Sequence, residues 1–193
     1  VQPGESAAVF GDALRRLTDN ATYLYQQQQR YWYSVQPSLN SLARDRADQL
    51  SDEEDVDPAI TAKLRSERGN RGDFVAVQIA EAGTKVPNER GTRLVILPPE
   101  YPHAKNGDGL AIPAASEILH HAGSTPRMFK NGLVFLAPDK RALKDLRDAA
   151  RNFLAWESIF RESDSLMLDP NQRSVAEQRM NDAGTVLEQR MAE

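Results

Sequence analysis

The run Asn131-Gly132-Leu133-Val134-Phe135-Leu136-Ala137-Pro138-Asp139 decides the fold class. Its centre is continuously apolar, the pattern of a short strand covered on both faces. Pro138 ends the strand, and Asp139 is placed to cap a helix. The helix that follows carries Leu143, Leu146, Ala150, Phe153 and Leu154 on one stripe, with Ala149, Phe153, Trp156 and Phe160 beside it. So wide an apolar face predicts burial against a sheet on one side and another element on the other, in the longest helix of the chain.

Upstream, Phe74 to Ala80 and Arg93 to Leu97 are two more largely apolar runs, the second closed by Pro98-Pro99. Ile112 to His121 reads as a short helix with Gly123 and Pro126 at its exit. The order strand, strand, helix, strand, helix predicts a small α/β domain over residues 73–161, of two or three layers, with α+β as the alternative class.

The first 57 residues read as a helix, an aromatic hairpin and a second helix. Phe10, Ala13, Leu14 and Leu17 fall on one helical stripe, which Thr18-Asp19-Asn20 ends. Ala21 to Tyr25 and Tyr31 to Ser34 are β-prone, with Gln26 to Arg30 as the loop between them. Alternation sets Tyr23 with Tyr25 and Tyr31 with Tyr33 on one face, and Leu24 with Trp32 on the other, so the ribbon is expected to pack between neighbours. Pro37 suits a first helical turn, and Leu39, Leu42, Ala43, Arg46 and Leu50 continue at helical spacing.

An acidic run, Asp52-Glu53-Glu54-Asp55 with Asp57, precedes Lys63, Arg65, Arg68 and Arg71, and this change of composition marks a boundary, with residues 58–72 as a linker. Pro58 can begin a short helix there that Gly69 and Gly72 end. The tail, 162–193, opens on Asp169-Pro170-Asn171-Gln172, a capping box, and keeps Ala176, Met180, Ala183, Leu187 and Met191 in a narrow stripe. That stripe needs a partner such as the Leu143 helix.

Over the 193 residues, 24 Lys and Arg stand against 28 Asp and Glu, a formal net charge of −4, so nucleic acid or acidic lipid would have to be held by a local patch. With no cysteine, disulfides, thiolate zinc sites and a cysteine nucleophile are excluded. No apolar run reaches the roughly 20 residues that span a bilayer. The chain reads as cytoplasmic and, opening at Val1, as a segment of something longer.

No G-x-x-x-x-G-K-[ST] occurs, and Asn106-Gly107-Asp108-Gly109 lacks the lysine and hydroxyl that touch phosphate and magnesium, so it reads as a turn. Adjacent His120 and His121 point about 100° apart on a helix, which suits no shared metal. Ser116 and Ser124 lack a nucleophile-elbow context. No catalytic residue, cofactor site or metal site is assigned. Arg15, Arg16, Arg30, Tyr31, Tyr33 and Arg44 are the candidates for contact with nucleic acid or a partner, because arginines hold phosphates while aromatics on a ribbon stack on bases.

Two blocks carry a family resemblance. Val9-Phe10-Gly11-Asp12-Ala13-Leu14-Arg15-Arg16-Leu17, Ala21-Thr22-Tyr23-Leu24-Tyr25, Arg30-Tyr31-Trp32-Tyr33, Gln36-Pro37-Ser38-Leu39-Asn40 and Ala43-Arg44-Asp45-Arg46-Ala47 form the first. Asn131 to Asp139, with Arg151 and Leu154-Ala155-Trp156, form the second. Together they resemble the large AAA+-type ATPases known as domain-of-unknown-function family 499, in the region beyond the nucleotide-binding core. The resemblance implies a bacterial or archaeal P-loop ATPase of DNA-modification or anti-phage systems, working beside a DNA methyltransferase, with ATP and magnesium bound by the parent protein and none in this segment. It implies a winged-helix-like opening module and, as partners, the remainder of the ATPase, a methyltransferase or DNA, in an assembly that can be oligomeric. The expected function is a non-catalytic accessory segment. The alternatives are a DNA-binding module using Arg15, Arg30, Tyr31 and Tyr33, and a small-molecule enzyme with its pocket beyond Leu97 and Ala137.

Overall fold

A computed structural model describes residues 7–27, 30–33, 38–67, 69, 71–107 and 109–193. Pro37, Arg68 and Asp108 lie outside the described residues, as do the side chains of Tyr25 and Trp32. The chain is mixed helix and strand, with a small parallel sheet and a long C-terminal helix. It forms two compact units, Val1–Gln49 with Asn152–Gly184, and Leu50–Arg151 with Thr185–Glu193.

In the first unit, α1 (Ala7–Asn20) covers the expected periodic run. The hairpin pairs β1 (Leu24–Gln27) with β2 (Arg30–Tyr33), so the strands extend into the glutamine stretch read as loop. Its register sets Leu24 opposite Tyr33 and Tyr25 opposite Trp32. Leu24 therefore shares a face with Tyr33 instead of standing on the face opposite it as expected, because residues facing each other across an antiparallel pair point the same way. On that shared face Leu24 is buried while Tyr33 is 79% exposed.

α2 (Leu39–Gln49) starts on Ser38, whose Oγ accepts from the Ser41 N–H at 3.2 Å. Its Ala43 enters a core with Trp156 and Ile159 of α5 (Ala142–Arg161) and Ala176 and Ala183 of α6 (Pro170–Ala192). Arg46 reinforces this contact, donating to Ser158 Oγ at 2.8 Å and Glu162 Oε2 at 2.7 Å. At 23 residues α6, not the 20-residue α5, is the longest helix among the described residues.

The capping box forms as read. Gln172 N–H donates to Asp169 Oδ1 at 2.8 Å, and Asp169 N–H donates to Gln172 Oε1 at 3.0 Å. Asp169→Ala should lower unfolding free energy by about 1 kcal/mol, with Asp169→Asn losing less, as measured by urea denaturation of both variants.

In the second unit, a one-turn π-helix at Asp52–Val56 continues into α3 (Asp57–Glu67), burying Val56 and Ile60. The sheet follows, with β3 (Ala76–Ile79), β4 (Arg93–Ile96) and β7 (Leu133–Leu136) parallel in the order β3-β4-β7. α4 (Ala111–His120) covers one face, where Ala80, Val86, Val95, Leu97, Ala111 and Ile118 form the core. In β7, Leu133 and Phe135 pack on that core, while Val134 and Leu136 alternate to the other face and are exposed, so the strand is not covered on both faces as expected. At its start a Cβ on Gly132 would lie 2.5 Å from the Gly91 carbonyl oxygen, so only glycine admits that close approach.

The exit of α4, read only as a break, holds a further hairpin: β5 (His121–Ala122) and β6 (Thr125–Pro126), turned by Gly123 at φ 72°. Two-residue strands carry no periodicity that a sequence can display. Among the described residues, no helix is long and apolar enough to cross a membrane.

Candidate functional site

Both β4 and β7 run into proline at their carboxyl ends, Leu97-Pro98-Pro99 and Ala137-Pro138-Asp139, which turns the chain away from the sheet. Ligands of open α/β sheets sit at such ends. Asp139 begins α5 as read, its Oδ1 accepting from the N–H groups of Arg141 at 2.8 Å and Ala142 at 3.3 Å. From that start, Lys140, Lys144, Arg147 and Arg151 recur at helical spacing and form one cationic stripe. The stripe and the segment after β4, with Glu100, line a cleft of about 550 Å³.

The cap has an electrostatic consequence. The Arg141 N–H, then the Ala142 N–H, hold the Asp139 carboxyl below the usual carboxylate range, with nearby positive charge adding to the effect. A carboxyl depressed in the folded state stabilises above its unfolded pKa and loses that contribution as pH falls through the folded one. Wild type should therefore resist urea better than Asp139→Ala at neutral pH, and the two denaturation curves should converge as the carboxylate range is crossed downward.

The two arginines of the stripe are fixed by acids from the π-turn and α3. Arg147 donates Nε to Asp57 Oδ1 at 2.8 Å and Nη2 to Asp57 Oδ2 at 2.6 Å, a bidentate pair in which Asp57 is 1% exposed. The Arg147 pKa is raised, chiefly by this hydrogen bonding. Asp52 is shared, 2.5 Å from Arg151 Nη2 and 3.6 Å from Arg147 Nη1. Among the described residues, Lys140 and Lys144 form no ion pair.

A second cavity, of about 250 Å³, lies at Leu97 and Ala137, where the small-molecule reading sets its pocket, and its walls are mostly apolar, with Ile60, Leu136, Leu143 and Leu146 among them. Behind the sheet end of α4 is a residue that reading the sequence missed. Arg127, 2% exposed, donates Nε to the Ile118 carbonyl at 2.8 Å, Nη1 to Pro87 at 2.9 Å, and Nη2 to Val86 at 3.0 Å and Gly83 at 3.2 Å. Burial and the charge of Arg93 lower its pKa. A Cβ on Gly83 would collide with the His121 carbonyl oxygen, so glycine is needed where this cage closes.

The sequence-derived contact residues all belong to the first unit. Arg15 pairs with Asp12 at 2.5 Å, and Arg16 and Arg30 are exposed. Tyr31, half-buried, and exposed Tyr33 alternate along β2 and share a face. Arg44 is instead engaged within the unit: it donates to the Asp19 carbonyl at 2.8 Å and reaches Asn20 Oδ1 at 3.5 Å, a cation on the C-terminal end of α1. The stripe from Lys140 to Arg151 was available in the sequence as spacing alone; nothing there showed that a cleft faces it. Comparison with protein families, with curated proteins and with solved structures returns no match.

Proposed function

We propose that this chain is a non-catalytic accessory segment of a larger prokaryotic AAA+-type ATPase, relaying nucleotide state to a partner protein or DNA in a DNA-modification or anti-phage setting. In this reading ATP and magnesium belong to the parent protein, in the cytoplasm, and the helix, hairpin and helix of the first unit are winged-helix-like. The observation that supports it is the uncovered stripe of α1. Phe10, Leu14 and Leu17 stand exposed on one side of the helix, with Tyr23 and Tyr33 exposed on the adjoining hairpin. Grouped apolar side chains of this kind mark a contact surface, and the remainder of the parent ATPase is its occupant here. The acids at the sheet end serve architecture in the same reading, with Asp139 on a helix cap and Asp57 on Arg147.

The test has two parts. The purified chain with magnesium and ATP should release no phosphate. Titrated into the nucleotide-hydrolysing part of the parent, it should bind, and Leu14→Asp with Leu17→Asp should weaken that binding at least about tenfold, roughly 1.4 kcal/mol. Turnover by the pure chain, or binding that ignores the double variant, overturns the reading. A DNA-binding module is the second reading, favoured by the exposure of Arg30 and Tyr33. It requires duplex affinity that falls steeply with salt and drops in Arg30→Ala, and a flat anisotropy titration removes it.

A further inference from the structure

The cleft beside α5 is larger than a structural ion-pair network needs. Four cations and three carboxylates line it, and their roles differ. Asp52 is taken up by Arg151 and Arg147, and Asp148 lies 3.8 Å from Arg151. Asp57, which neutralises much of Arg147, is buried and does not line the cleft. What remains on the helix side is Lys140 and Lys144, both exposed and without an ion pair among the described residues, beside Arg147, whose Nη1 has Asp52 at 3.6 Å as its ion-pair neighbour. On the side built by the segment after β4, the acid is Glu100, also exposed.

We propose that this cleft binds a small phosphorylated ligand, its phosphate held by Lys140, Lys144 and Arg147 and a hydroxyl or amine of the ligand donated to Glu100. Three features converge on that chemistry. Two ammonium groups and a guanidinium N–H supply the charge-assisted donors that a dianion takes up, whereas a single carboxylate would leave one ammonium unmatched. The volume of about 550 Å³ fits a small organic molecule and is far more than a lone ion fills. The position, at the carboxyl ends of two adjacent parallel strands, is where sheets of this kind receive ligands. Asp57 and Asp52 then have a second consequence. By holding Arg147 through Nε and Nη2, with Asp52 3.6 Å from Nη1, they fix a guanidinium that lines the cleft, so it needs little ordering on binding.

The test uses the full chain with pyrophosphate and inorganic phosphate as probes, followed by calorimetry and by NMR shifts of backbone amides. Pyrophosphate should bind in the millimolar range or tighter, weaken with added salt, and shift the amides of Lys140 to Arg151. Lys140→Gln with Lys144→Gln should weaken it at least about tenfold, while Arg161→Gln with Arg179→Gln, at exposed cations of the first unit, leaves it unchanged. Glu100→Gln should tighten it severalfold, because the opposing carboxylate repels a bare phosphate that brings no donor. Circular dichroism of the lysine variant should match wild type, since neither side chain is buried. Absence of binding, binding that the lysine variant leaves intact, or binding weakened by Glu100→Gln overturns the proposal. Duplex DNA competing for the same lysines more tightly than pyrophosphate overturns it in favour of a nucleic-acid face. Because phosphate release plays no part in these readouts, they fail or succeed independently of the accessory-segment reading.

Discussion

Replacing Arg127 by Met is expected to lower the unfolding free energy of the second unit by on the order of 3–5 kcal/mol, a large share of the 5–15 kcal/mol typical of a domain. The guanidinium sits at 2% exposure and is satisfied by carbonyls rather than by a carboxylate. Those carbonyls come from three places: the segment around Gly83 to Pro87, the last turn of α4, and, at 3.4 Å, His121. Hydrogen bonds to a charged donor contribute about 1.5–3 kcal/mol each, and removing the donor leaves buried acceptors unpaired. Water entering the gap offsets part of the loss, which holds the estimate well below the sum of the bonds. Arg127→Lys should rescue little, because a single ammonium cannot reach carbonyls that a planar fork spans. Urea denaturation gives the magnitude, and amide exchange should show Thr84 to Val86 and His121 to Thr125 losing protection together.

The second large effect is expected at Arg147. In Arg147→Met the Asp57 carboxylate, 1% exposed, loses both of its partner bonds and stays in place. Breaking a buried pair from one side costs about 3–5 kcal/mol, and because Arg147 itself is partly exposed, with a side-chain accessibility of 26%, a loss of about 2–4 kcal/mol is expected. One signature separates this from a simple packing defect. Adding Asp57→Asn should recover much of the loss, since the stranded charge is then gone. A deficit that Asp57→Asn leaves unrescued would refute the account.

The two arginines mark the limit of what the sequence reveals. Strands and helices announce themselves through spacing: Leu133 to Ala137, the stripe from Leu143 and the box at Asp169 and Gln172 all form close to where they were read. Caps are local, so four residues contain the whole argument. Arg127 has no such signal. Its acceptors are 6 to 44 positions away and are backbone atoms, which any residue carries. Arg147 and Asp57 are 90 positions apart, and in the sequence Asp57 is one acid in an acidic stretch. The hairpin shows a subtler failure. The aromatic runs are visible, but the strands reach Gln27 and Arg30, and the register that sets Leu24 opposite Tyr33 is not encoded in composition. For the cleft, the cationic spacing was legible and the facing wall was not.

The make-up of the first unit bears on how the protein comes into being. Arg46 meets Ser158 across 112 positions, and the core around Ala43 is completed only by residues of α5 and α6. As the polypeptide leaves the ribosome, α1, the hairpin and α2 therefore emerge long before the surfaces that shelter them, while the intervening Leu50–Arg151 stretch is still being translated. Closing so long a loop slows the final step of folding and leaves the nascent opening helices exposed to chaperones in the meantime. Truncating the gene at a point that looks like a tidy border near the acidic run would strand those helices for good.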